Sequence, residues 1–205
     1  MLRSVDTYLP GARVILAGHR PSWVRGVEHI PVSQERSDPG NVVGILRQVC
    51  ADPVVPEEFV LVNDDFFAMV PGAPTPLLHR GPLVDLVGCW RGGWYTAALS
   101  TTVEVLAGRG VVGALAYDRL HQPMPIVRDV LGEVLTWVEE GRPVLHRSLY
   151  GNRVGGGVAG VDVKVRRVRD LLPAGPWVST SPSAWAAGPG RVLRARFRQV
   201  CRYEG

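Results

Sequence analysis

The sequence predicts a single α/β domain over residues 1–205, and two observations support this prediction. Short apolar runs that end in glycine or in polar residues, at 12–18 and 58–70, are typical of buried strands. These runs alternate with segments in which apolar residues recur at helical spacing, at 41–49 and 126–140. A chain of 205 residues with 46% hydrophobic residues can also build a core of its own.

The predicted elements alternate along the chain. The first four are the end of a helix, a strand, a shorter strand and a helix, at residues 3–8, 12–18, 27–32 and 41–49. Asp38 or Asn41 can cap the start of this second helix. After the apolar run at 58–70 we expect an irregular loop, a helix, a strand-like run and a long helix, at residues 71–95, 101–107, 111–117 and 126–140.

The charge pattern does not indicate a nucleic-acid partner. The net charge is +4, and Lys164 is the one lysine among 23 basic residues, a bias that is typical of a GC-rich coding sequence. Lys164 and the arginines that follow it alternate with valines, which predicts a solvated face of a strand or short helix. Aromatic residues, on which bases could stack, do not alternate with these charges.

The cysteines and the N-terminus favour a cytoplasmic location. Cys50, Cys89 and Cys201 are far apart and lack the spacing of a zinc site or of a disulfide framework. The N-terminal residues contain no apolar signal core, and no stretch reaches the roughly 20 apolar residues of a membrane span. We therefore expect a cytoplasmic protein without a membrane span.

The most informative residues are Asp64 and Asp65. They follow the apolar run Phe59–Val62 and precede two phenylalanines, so we expect both carboxylates to be buried at the end of a strand. Burying two adjacent carboxylates costs several kcal/mol unless a cation compensates. The pair therefore predicts a site for Mg²⁺ or Mn²⁺ that bridges to a substrate diphosphate. The alternative is a turn or a helix cap, in which such pairs are also common.

Two later motifs are weaker. His121 lies just ahead of the long predicted helix, and by itself it is more typical of an ordinary loop histidine. The segment His146–Asn152 reads as a turn, in which Arg147 has the forked guanidinium that pairs with phosphate oxygens. The glycines at 155–157 read as a flexible link rather than a phosphate-binding loop.

Taken together, these segments resemble the Stealth family. The run Leu2–Trp23, followed by Phe59–Phe67, is similar to the second conserved region of that family. His121–Pro125 resembles its later His-x-Pro element, and the Arg147 motif resembles its arginine element. Trp177–Ser181 is more loosely similar to the final conserved region.

The resemblance implies a function as well as a fold. The family includes capsular polysaccharide phosphotransferases and the N-acetylglucosamine-1-phosphotransferase of lysosomal enzymes. The implied fold is a glycosyltransferase-A-like mixed sheet flanked by helices. The implied activity is metal-dependent transfer of a sugar or sugar 1-phosphate from a nucleotide sugar to a glycan or protein-linked acceptor. We expect the sugar to be linked to uridine diphosphate.

The resemblance also assigns residues to this activity. His121, Arg147 and Asp65 correspond to catalytic residues, and Asp64 and Asp65 to the ligands of Mg²⁺ or Mn²⁺. The substrate-binding residues that we predict are Asn63, Gly18, Tyr150 and Asn152. Relatives begin with a strand that carries a nucleotide-binding element, and Met1 falls within the helix that follows it, so we expect this first strand to be missing.

Two other classes of function compete with the transferase. A non-catalytic carbohydrate-binding or assembly module on the same scaffold would fit the missing strand. The six tryptophans, among them Trp90, Trp94 and Trp185 in predicted loops, could then stack on sugar rings. A nucleic-acid binder would rest on charge alone.

Overall fold

The structure, a computed structural model, describes residues 1–32, 40–89, 92–171 and 175–205. Its α-helices are α1 (Leu2–Tyr8), α2 (Gly40–Ala51), α3 (Gly93–Gly108), α4 (Arg128–Thr136), α5 (His146–Val154), α6 (Pro182–Ala186) and α7 (Gly188–Arg196). Its strands are β1 (Ile15–Ala17), β2 (Glu28–Ile30), β3 (Glu58–Leu61), β4 (Phe66–Ala68), β5 (Leu78–His79), β6 (Met124–Val127), β7 (Val158–Ala159), β8 (Lys164–Val165) and β9 (Trp177–Thr180). Short 3₁₀ helices span Leu83–Leu86 and Val168–Leu171.

The strands of the described ranges form four small sheets. Strand β1 pairs with β2 and β5 pairs with β7, both in parallel, whereas β3 and β6 are antiparallel. The three-stranded sheet has β9 in its centre, antiparallel to β4 and parallel to β8. The prediction of a mixed α/β fold is therefore confirmed, with small sheets between helices.

The largest part of the core lies between α3, α4, α5 and the β3–β6 pair. Leu131, Val134 and Leu135 of α4 recur at helical spacing and are completely buried there. A second cluster covers one side of the three-stranded sheet, where Phe67 and Val178 pack against residues of α7 such as Leu193. Burial of these apolar faces stabilises elements that are too short to be stable alone.

The early predictions of secondary structure are confirmed with shorter strands. Helix α1, strands β1 and β2 and helix α2 occur in the predicted order. Helix α2 begins at Gly40, so Asn41 lies inside the helix and is not its cap, while Asp38 lies outside the described residues. Helix α3 is longer than predicted, because it begins at Gly93.

Three later predictions were wrong. Residues 111–117 form no strand within the described chain and contribute only an isolated bridge between Leu115 and Pro82. The helix predicted from Ile126 begins at Arg128, because the residues before it form β6 and pair with β3.

The third correction concerns the segment around Arg147. Instead of a turn it forms the helix α5, which ends before Gly155 in the left-handed conformation with φ of 77°. The carboxylate of Asp118 accepts hydrogen bonds from the backbone N–H of Ser148 at 2.8 Å and from its hydroxyl at 2.7 Å. An anion stabilises the first turn of a helix, so Asp118 takes the place of the capping side chain that the local sequence lacks.

None of the helices in the described ranges combines the length and the apolar composition that a membrane span requires.

The close packing of α5 predicts that adding a methyl group at Gly151 lowers stability. Gly151 of α5 lies against the ring of Tyr117, and a Cβ atom there would overlap this ring. We expect Gly151→Ala to lower the free energy of unfolding by about 1–3 kcal/mol, as overpacking does. Gly44→Ala, in open space on α2, is the control and should be neutral or stabilising by up to about 1 kcal/mol. Equal stability of the two variants in urea unfolding would contradict this packing.

Candidate functional site

The predicted metal pair lies in the turn between β3 and β4. The turn is closed by a hydrogen bond of 3.2 Å from the backbone N–H of Phe66 to the carbonyl of Asn63. Asp64 is exposed, and β3 before it alternates between exposed and half-buried residues. The expectation that both carboxylates are buried was therefore wrong, because β3 is covered on one face only.

Asp65 differs from its neighbour because its charge is already compensated. Its Oδ2 atom accepts hydrogen bonds from the ammonium of Lys164 at 2.9 Å and from the hydroxyl of Ser179 at 2.6 Å. The three residues meet because Phe66 and Lys164 both pair with Ser179 across the central strand β9. An ion pair and a charge-assisted hydrogen bond thus stabilise the half-buried carboxylate.

The interpretation of Lys164 as part of a solvated face was wrong. Its side chain is only 18% exposed and is directed at Asp65, whereas Arg166 and Arg167 are exposed. The alternating pattern was correct for the arginines. It could not reveal that the lysine has a carboxylate partner 99 residues earlier in the chain.

Arg147 connects two segments that the sequence separates. From the first turn of α5 it donates a hydrogen bond of 3.2 Å from Nη2 to Oδ1 of Asn63 and one of 2.5 Å from Nη1 to the carbonyl of Gln122. The guanidinium also lies 5.7 Å from the centre of the Phe66 ring. These contacts bring Arg147, Asn63 and the segment that follows His121 into one cluster.

The charged guanidinium of Arg147 is almost completely buried. The residue is 9% exposed, and burial lowers the pKa of its guanidinium, while Asp118 and Asp65 act in the opposite direction. The nearby acids thus compensate part of the cost of desolvation. A small crevice lined by residues such as Leu78, Tyr117 and Gln122 reaches the arginine.

His121 lies beside this cluster in a strained backbone. It has φ of 50°, and Arg119 two residues earlier has φ of 65°, in the left-handed region that residues other than glycine seldom adopt. The Nδ1 atom of His121 is 2.8 Å from Oδ1 of Asp162, and both side chains are 27% exposed. Strained residues of this kind occur preferentially at functional sites, where the surrounding structure holds them.

The remaining predicted substrate-binding residues lie in structural positions. Tyr150 is 2% exposed, and its hydroxyl accepts a hydrogen bond of 2.8 Å from the N–H of Val127. The side chain of Asn152 accepts a hydrogen bond of 2.8 Å from the backbone N–H of Leu115 and donates one of 2.7 Å to its carbonyl. Gly18 directly follows β1 with φ of 104°, and its carbonyl lies 2.7 Å from Nε2 of His29. A role of these three residues in substrate binding stays a prediction.

The tryptophans of the competing hypothesis have varied surroundings. Trp185 stacks on Phe67 with ring centres 5.5 Å apart, and the guanidinium of Arg194 lies 4.8 Å from its ring. The prediction that Trp94 and Trp185 lie in loops was wrong, because Trp94 lies in the first turn of α3 and Trp185 belongs to α6. Trp94 is 38% exposed. Trp90 lies outside the described residues.

Asp162, Lys164, Ser179 and Asp118 were not singled out as site residues from the sequence. Asp162 and Lys164 are two positions apart on an extended segment, so their side chains lie on the same face of that segment. Ser179 lies within the motif Trp177–Ser181, but nothing local assigns a site role to it or to Asp118, because their partners come from other parts of the chain.

A wider cleft of about 320 Å³ lies elsewhere, between Arg13 and Arg202. Its two arginines are already paired with carboxylates, Arg13 with Glu28 and Arg202 with Asp6. The cluster around Arg147 and Asp65 therefore remains the candidate site, since it combines buried charge, strained backbone and four of the predicted residues.

A scan of the chain against protein-family models and a search of curated proteins both find no match. The resemblance to the Stealth family thus stays a prediction, and a function must be inferred from the residues of the site.

The buried bridge made by Arg147 predicts that lysine cannot replace it. Lysine carries one ammonium instead of a planar fork, so it cannot reach both acceptors in the same geometry. We expect Arg147→Lys to lower the free energy of unfolding by about 1–3 kcal/mol. The control is Arg153→Lys on the same helix, where the pair with Glu133 is exposed to solvent and contributes little to stability. Chemical denaturation that gives the same loss for both variants would contradict the bridge.

A second prediction concerns acid stability. Burial lowers the pKa of His146, next to Arg147, from 6.5 to about 4. Between pH 6.5 and 4 the unfolded chain therefore binds a proton at this position that the folded chain does not, so this residue makes stability decrease as the pH falls. The free energy of unfolding should decrease by up to about 1.4 kcal/mol per pH unit from this residue. His146→Gln should remove that component when urea unfolding is measured across the window, and identical slopes would refute the assignment.

Proposed function

We propose that this protein is a metal-dependent transferase that moves a sugar or sugar 1-phosphate from a nucleotide sugar to a glycan or protein-linked acceptor. The proposed scaffold is of the glycosyltransferase-A type, as the resemblance to the Stealth family implies. The observation that carries the proposal is the hydrogen bond between Arg147 and Asn63, which are 84 residues apart in sequence. It joins two motifs that the resemblance had assigned independently to one site.

The charges of the cluster suit an anionic donor. Arg147 uses two of its five N–H donors on Asn63 and Gln122, and the others can pair with phosphate oxygens at the edge of the cluster. Lys164 adds a second cation beside Asp65. Positive groups that are fixed before the reaction can stabilise the negative charge that develops on a leaving phosphate.

The donor set suits a metal that binds together with the substrate. No group of three or more His, Cys, Asp and Glu side chains among the described residues is arranged to hold a metal ion. Asp64 and Asp65 could supply one or two carboxylates, and the diphosphate and water would supply the other oxygen ligands of Mg²⁺ or Mn²⁺. The metal, when bound, would neutralise phosphate charge. Because Lys164 already pairs with Asp65, the exposed Asp64 is the more accessible ligand.

His121 suits the role of general base for the acceptor hydroxyl. Its Nδ1 atom faces Asp162, which leaves Nε2 as the nitrogen that can accept a proton. Its side chain is partly exposed, as a residue that meets an incoming acceptor needs to be. A positioned base of this kind contributes about 10²- to 10⁴-fold to a rate.

Thermal unfolding with nucleotide sugars tests the proposal. At a hundred times its Kd, a uridine-diphospho-sugar should raise the Tm by about 5–10 °C, and only when Mn²⁺ or Mg²⁺ is present. Asp64→Asn and Asp65→Asn should abolish this shift because they remove the carboxylate ligands. Asp64→Asn is the cleaner variant, since Asp65→Asn also breaks the contact with Lys164.

Asp129→Asn is the matched control, because Asp129 is a 74% exposed acid on α4. It should keep the full metal-dependent shift. Binding of the nucleotide sugar without metal, unchanged in both turn variants, would overturn the proposed site. Binding of glycans without any nucleotide, and no transfer from the donor, would favour the carbohydrate-binding module instead.

A further inference from the structure

We infer that Asp162 is a positioning residue that holds the imidazole of His121 with Nδ1 protonated and Nε2 free to accept a proton. This inference rests on the proposed function for the role of His121, but the contact itself can be measured without any substrate. Asp162 has no role in the motifs that led to the proposed transferase, and it lies 41 residues after the histidine.

The chemistry of the contact fixes the direction of the hydrogen bond. Oδ1 of Asp162 lies 2.8 Å from Nδ1 of His121 and also accepts a 2.9 Å hydrogen bond from the backbone N–H of Lys164. An ionised carboxylate can only accept hydrogen bonds, so Nδ1 must carry the proton. The neutral imidazole then has its lone pair on Nε2.

The carboxylate is ionised at neutral pH. Burial alone would raise the pKa of Asp162, but the hydrogen bonds from His121 and from the Lys164 backbone outweigh it and lower this pKa below its usual range. Arg166 acts in the same direction. Both the distance and the charge therefore indicate that the negatively charged carboxylate of Asp162 accepts a hydrogen bond from Nδ1 of His121.

Two further hydrogen bonds hold the two segments together. The backbone N–H of Val163 donates to the carbonyl of Leu120 at 3.1 Å. The side-chain amide of Gln122 donates to the carbonyl of Val161, also at 3.1 Å. The segment that carries Asp162 is thus attached on both sides of His121, which explains how the left-handed backbone of the histidine is maintained.

The proposed step follows from this orientation. As the acceptor oxygen forms its bond to the sugar carbon or to the phosphorus of the donor, its proton passes to Nε2 of His121. The bond to the nucleotide leaving group breaks, and its electron pair goes to the leaving phosphate. Asp162 stabilises the imidazolium that forms, and the imidazolium later returns the proton to solvent.

The ¹⁵N spectrum of the histidine side chains tests the contact directly. In the neutral imidazole of the parent protein, Nδ1 should have the shift of a protonated nitrogen and Nε2 that of an unprotonated one. The chain has five histidines, and the spectrum of His121→Gln identifies the signals of His121. In Asp162→Ala, the tautomer should change toward protonated Nε2, the form that a free histidine side chain prefers, while the other four histidines keep their signals.

Asp162→Asn provides a second variant if the alanine variant does not fold. Its amide oxygen can still accept from Nδ1, so the tautomer should persist, but the Nδ1 proton should move upfield because the hydrogen bond is no longer charge-assisted. Asp129→Ala, an exposed acid elsewhere, should leave the spectrum unchanged. An unchanged tautomer in folded Asp162→Ala, or an unchanged Nδ1 proton in Asp162→Asn, would overturn the inference.

The activity of the same variants separates this inference from the proposed function. If the parent transfers sugar, Asp162→Ala should lower kcat by about 10²-fold with little change in the KM for the donor, and Asp162→Asn should recover part of the loss. A KM effect alone would count against the positioning role. If the parent shows no transfer, the proposed function fails, while the spectrum still decides whether Asp162 holds His121.

Discussion

The candidate site depends on the burial of one guanidinium. Arg147 is 9% exposed, and a charge at this depth is stable only when hydrogen-bond acceptors and opposite charges surround it. Asn63 and the carbonyl of Gln122 supply the acceptors, and Asp118 and Asp65 supply the charge. Because these groups come from the turn at 63–65 and the segment at 118–122, their contacts with Arg147 also fix the positions of the turn, the histidine segment and α5.

The three-stranded sheet completes the site from the other side. Its central strand β9 holds Ser179 between β4 and β8, so the carboxylate that precedes β4 meets the ammonium at the start of β8. The segment that leads into β8 also carries Asp162 to His121. This short sheet and the segment that leads into it therefore supply partners to Asp65 and to the imidazole of His121, although the strands contain only two to four residues each.

Predictions from the sequence succeeded where local periodicity is strong. The buried stripe Leu131, Val134 and Leu135 predicted α4, and the apolar run before Asn63 predicted a strand. They failed where a distant partner decides the structure. Strand β6 replaces the first residues of the predicted helix because β3 pairs with it, and α5 forms where Asp118 supports its first turn.

The sequence by itself determined the α/β class, the order of the early elements and the set of polar residues from which a site could be built. Apolar spacing depends on neighbouring residues and is visible along the chain. Only the tertiary structure decided that Asp64 is exposed, that Lys164 compensates Asp65, and that Asp162 faces His121. The contacts of Lys164 with Asp65 and of Asp162 with His121 join residues 99 and 41 positions apart. They are favourable because a partly buried charge without a partner is costly. That cost depends on burial, which only the fold creates.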